Sequence, residues 1–90
     1  MNTQALSAHV LHALALAQME GRRLDLETLV RELRVRRGDI RRVVSALHRE
    51  GYVDALRMRL TLLGFALGRS YLGQPLPELR RPRLSVVAAA

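Results

Sequence analysis

Apolar residues recur at helical rather than alternating spacing along most of this chain, and the pattern predicts four helices. Leu6, Val10, Ala13, Leu14 and Ala17 form one stripe of a first helix, which runs from a cap at Thr3 to about Glu20 and stops at Gly21. Ala8, Leu11, Ala15 and Met19 form a second stripe on the other side. A helix that is apolar on two sides needs two covers. A chain this short is expected to supply one of them, and a second copy of the chain is the simplest source of the other. The alternative is the C-terminal tail folding back.

Asp25 predicts the N-cap of a second helix, Leu26 to Leu33, with Glu27 favourable in its first turn and Leu26, Leu29, Val30 and Leu33 on its buried side. A turn Arg34-Val35-Arg36 follows, with Val35 as its apolar plug. The third helix covers about Arg37 to Glu50, and Gly51 ends it in a left-handed conformation. Its buried side is Ile40, Val43, Val44 and Leu47. Tyr52 to Leu56 and Arg57 to Thr61 read as the strands of a short hairpin without an Asn-Gly turn, and Leu24 is placed to add a bridge to that small sheet. Thr61 caps a fourth helix, Leu62 to about Leu72, closed by Gly73. Its apolar residues also fall on two sides: Leu62, Phe65, Ala66 and Leu72 on one, Leu63, Leu67 and Tyr71 on the other. Three prolines and an arginine run then forbid regular structure, so residues 1–73 are expected to form one domain and 74–90 a tail that is loose or packed on a partner.

Charge changes this picture more than composition does. All fifteen basic residues are arginine, and Ala, Leu and Arg share GC-rich codons, which accounts for part of the bias. It does not account for the clustering, since nine of the arginines lie between Arg31 and Arg59. A net charge of +7 makes nucleic acid the default partner. Opposite the buried side of the third helix lie Gly38, Arg42, Ser45 and Arg49, flanked by Arg37 and Arg41, where an ordinary solvated face would mix signs. Such a face suits the floor and walls of a DNA major groove. The absence of cysteine excludes disulfides and thiolate metal sites. No apolar run is long enough to span a bilayer, and the N-terminus lacks the basic start of a signal peptide, so a cytoplasmic, nucleoid-associated protein is expected.

The segment LDLETLVRELRVRRGDIRRVVSALHREGYV resembles the two-helix segment of bacterial winged helix-turn-helix regulators, with their usual exit into a wing. LTLLG, Leu60 to Gly64, is similar to the "LT..G" that closes the wing in MarR-like families. The resemblance covers roughly Leu24 to Gly68. It implies a mainly α fold with a small β-hairpin, a winged helix-turn-helix. Two positions depart from that pattern: Arg34 stands where the turn usually has a glycine or small residue, and Arg36 where the third helix usually has a Ser or Thr cap. The hairpin is also shorter than a MarR wing.

The resemblance places Arg37, Arg41, Arg42 and Ser45 against base edges, with Gly38 allowing close backbone approach. Arg34, Arg36 and Arg49 are better placed for phosphates, and Arg57 and Arg59 for contacts from the hairpin. Asp39 reads as a helix-start charge pairing Arg42 or Arg36. The expected dimer interface is Ala8, Leu11, Ala15 and Met19 from the first helix with Leu63, Leu67 and Tyr71 from the fourth. His9 and His12 have a spacing that can share a metal, but no third ligand is evident, and no metal or cofactor is expected. Paired carboxylates in a cleft, a nucleophile beside a base and a glycine-rich phosphate loop are all missing, so an enzyme is not expected. The expected function is sequence-specific binding of double-stranded DNA by a homodimeric bacterial or phage transcriptional regulator. The rival is a winged helix that docks on another protein through its first and fourth helices.

Overall fold

The computed structural model describes residues 3–79. Its elements are α1 (Thr3–Met19), α2 (Leu26–Leu33), α3 (Arg37–Arg49), β1 (Val53–Asp54), β2 (Arg59–Leu60) and α4 (Leu62–Arg69). The chain is mainly helical with one small antiparallel sheet, in which Val53 pairs with Leu60 and Asp54 with Arg59. Among the described residues no helix is long and apolar enough to cross a membrane.

α1 is the element the others share: α2, α3, β2 and α4 all pack on it. Its Leu6, Val10, Leu14 and Ala17 join Leu29 of α2, the Ile40-Val43-Val44-Leu47 side of α3 and Val53 and Leu60 of the hairpin in one core. Ala13, placed in the same stripe by its spacing, is only half-buried. Thr3 is already helical, so it is not the cap ahead of α1, and the residue before it lies outside the described range. Gly21 leaves the helix at φ +71°, as the sequence predicts.

α2 begins where the Asp25 carboxylate accepts the Thr28 N–H at 2.8 Å. That hydrogen bond holds the Asp25 pKa below its ordinary value. α2 ends on Arg34, whose φ of 55° is left-handed and whose N–H donates to the Val30 carbonyl. Val35, between the two helices, is buried as expected. Arg36 makes no side-chain cap on α3, which is held instead by its apolar side and closed at Gly51, φ +85°.

Three expectations about the small sheet and α4 are corrected. The strands are two residues each, because the Asp54 carboxylate accepts the N–H groups of Leu56 and Arg57 and turns the chain early. Leu24 is buried but forms no bridge, and the outward-facing N–H of Leu60 is satisfied by the Gln18 side chain at 2.7 Å. α4 ends at Arg69 rather than near Leu72, because the N–H groups of Tyr71, Leu72 and Gln74 each reach back only three residues.

The second stripe of α1 is covered within the chain rather than by a second copy. Ala8, Leu11 and Ala15 are buried within the single chain. A methyl group built on Gly68 of α4 would stand 2.7 Å from the Leu11 carbonyl and 2.9 Å from the Ala15 Cβ, so α4 lies directly on this stripe. The segment after α4 returns to α1 as well: Nε2 of His9 lies 2.7 Å from the Pro77 carbonyl, and Leu79 packs against the core. The rest of the expected tail, from residue 80, lies outside the described residues.

Candidate nucleic-acid interface

α3 carries its functional candidates because its sequence buries one side completely. With Ile40, Val43, Val44 and Leu47 held in the core, geometry forces Arg37, Gly38, Arg41, Arg42, Ser45 and Arg49 outward, and all six are exposed. Arg34 and Arg36, in the turn before the helix, are exposed too. The turn is short and Val35 is anchored between them, so both arginines flank the start of α3.

The acids near this surface are few, and they hold the arginines loosely. Arg37 pairs with Glu27, tying the start of α3 to α2. Arg42 Nη1 lies 3.5 Å from the Asp39 carboxylate, so of the two expected partners of Asp39 it is Arg42 rather than Arg36 that pairs with it. Among the described residues Arg36, Arg41 and Arg49 have no carboxylate partner. Exposed pairs of this kind contribute about 0–1 kcal/mol, so a phosphate or a base edge can replace them at little cost. His48, at the end of α3, is tied to the hairpin: Nδ1 lies 3.1 Å from both the Val53 carbonyl and the Ala55 N–H.

The two hairpin arginines are gathered elsewhere. Arg57 and Arg59 line a cleft of about 940 Å³ together with Arg22 and Arg23 from the loop after α1. Arg57 Nε is 3.8 Å from Asp54, and Arg59 has no carboxylate partner among the described residues. Reasoning from helical periodicity passed over Arg22 and Arg23, because they lie in a loop between two patterned segments. The signal available was a basic pair directly after a glycine.

The expected dimer residues divide. Ala8, Leu11 and Ala15 are used up inside the chain, and Leu67 and Tyr71 are half-buried against its own core. Met19 and Leu63 remain exposed, at 52% and 57%. Leu62, placed on the opposite side of α4 by its spacing, is more exposed still, at 88%. The residues that seat α4 are Gly64 and Gly68, both buried. His9 is engaged with Pro77 rather than with His12, and no group of three metal-ligating side chains occurs among the described residues.

Comparison with protein-family models, curated proteins and solved structures finds no match to this chain.

Proposed function

We propose that this chain is a winged helix-turn-helix protein that binds double-stranded DNA, with α2, the Arg34–Arg36 turn and α3 as the helix-turn-helix and residues 53–60 as a short wing. The observation that carries the reading is the outward side of α3. It presents Arg37, Arg41, Arg42 and Arg49 with Gly38 and Ser45, and the only acid the helix carries, Asp39, sits in its first turn. A cationic face with small residues between its long side chains can enter a major groove. There Arg42 and Ser45 reach base edges and Arg36 and Arg49 grip phosphates. Regulation of transcription in a bacterium or phage follows from the same reading. A dimer on DNA would have to use the outward side of α4, since α4 itself covers α1.

The test is binding of the full chain to duplex DNA at rising salt. Affinity should fall with a log–log slope of about −0.9 for each phosphate neutralised. Arg42→Ala should cost about 1–3 kcal/mol at a selected site and much less on shuffled DNA, and Arg57→Ala should weaken both alike. A slope near zero overturns the reading.

A specific observation supports a second reading, docking on another protein. Leu62 and Leu63 stand exposed side by side at the start of α4, an apolar surface that the DNA contacts of α3 and the hairpin do not use. Unchanged DNA binding in Arg42→Ala and Arg57→Ala, with loss of a protein partner in Leu63→Glu, would favour it.

A further inference from the structure

The cleft between the hairpin turn and the loop after α1 is built from two kinds of surface. Leu14 and Ala17 of α1 and Leu24 of the loop, all buried in the core, line it. Met58 lines the hairpin side, and Leu56 beside it is 94% exposed. The charged lining is four arginines, Arg22, Arg23, Arg57 and Arg59, against one carboxylate, Asp25. Asp25 is committed to the α2 cap through the Thr28 N–H. Arg22 is held by Glu20 at 2.8 Å, whereas Arg23 and Arg59 have no carboxylate partner among the described residues. At about 940 Å³ the cleft is at the upper end of the size of small-molecule sites.

We propose that this cleft binds an amphipathic organic anion, a carboxylate or phosphate head on an apolar body. An inorganic anion would satisfy the arginines and leave Leu56 in water. A neutral apolar molecule would cover Leu56 and leave Arg23 and Arg59 without a carboxylate. Only a ligand with both parts meets both surfaces. The proposal does not depend on DNA binding. Because Arg57 and Arg59 are also candidate phosphate contacts, the experiment is made without DNA.

The full chain carrying ¹³C-methyl methionine is titrated with octanoate, with 1-octanol as the uncharged chain and with acetate as the head alone. The Met58 methyl should shift saturably with octanoate and far less with octanol or acetate. Met19, exposed and outside the cleft lining, is the internal reference and should stay still. Arg23→Gln combined with Arg59→Gln replaces two exposed side chains, so the fold should hold and octanoate affinity should fall about tenfold. Equal shifts with octanol, equal movement of Met19, no movement of Met58, or undiminished affinity in the double variant would each overturn the proposal.

Discussion

Arg34 does two jobs that pull against each other. It closes α2 from a left-handed conformation, which costs an L-residue about 1–2 kcal/mol relative to glycine, and it holds a cation beside the start of α3. Arg34→Gly should therefore leave the fold as stable or up to about 1 kcal/mol more stable in urea unfolding, and on the DNA reading it should lower affinity and make the salt slope shallower. Loss of stability would show that the arginine side chain, rather than the backbone, governs the turn. Asp25 works in the opposite sense. Its folded pKa is depressed by the Thr28 N–H, so the stability it contributes is fully present above the ordinary carboxylate value of 3.8 and is lost as pH falls through the folded value. Asp25→Ala should accordingly lower the urea midpoint at pH 7, and the gap between variant and parent should close in acid. A gap that is constant with pH would mean that the cap acts through something other than its charge.

α4 shows what a hydrophobic pattern conceals. The stripes Leu62-Phe65-Ala66 and Leu63-Leu67-Tyr71 invite burial of leucines, yet the helix seats itself on Gly64 and Gly68. Gly64 lies against the backbone of Tyr52 and Gly68 against that of Leu11, so a methyl group at either has nowhere to go. Gly64→Ala and Gly68→Ala should each destabilise by about 1–3 kcal/mol in thermal or urea unfolding. Gly38, in α3, faces open space, and Gly38→Ala should stabilise the fold by about 0.5–1 kcal/mol. On the DNA reading, that same methyl should weaken binding. The contrast also explains which elements were legible beforehand. The bounds of α2 follow from Asp25 and its apolar spacing, and the buried side of α3 follows from four residues in register. A glycine contributes nothing to an apolar count, so periodicity finds Phe65 and Leu67 on α4 but not the close contacts at Gly64 and Gly68. Nor does it find the ends of the hairpin, which the Asp54 side chain sets rather than strand propensity.

At the scale of the molecule, the second stripe of α1 needs a cover, and for Leu11 and Ala15 the chain's own α4 supplies it rather than a second copy. Periodicity reports that Leu11 and Ala15 are buried, and cannot report whether the same chain or another buries them. The arginine face was legible because charge clustering survives any arrangement of the helices. The cleft was not, because it joins residues from α1, a loop and the hairpin. Leu11→Glu should therefore unfold the protein rather than yield a folded monomer, since it forces a charge beneath α4. Leu63→Glu, at an exposed position, should leave circular dichroism and thermal unfolding unchanged. If sedimentation shows self-association in the parent chain, that variant should reduce it. A folded Leu11→Glu protein would show that α4 can lift from α1.

Thr61 joins three parts of this molecule through its hydroxyl and its backbone N–H. Its Oγ1 donates to the Gly51 carbonyl at 2.6 Å and accepts the Gly64 N–H at 3.1 Å, while its own N–H donates to the Tyr52 carbonyl at 3.0 Å. The exit of α3, the foot of the hairpin and the start of α4 are thus riveted together, with Leu62 and Leu63 projecting beside the rivet. Leu62 follows Thr61 directly, so whatever rests on those two leucines rests one residue from the hydrogen bonds that fix the exit of α3.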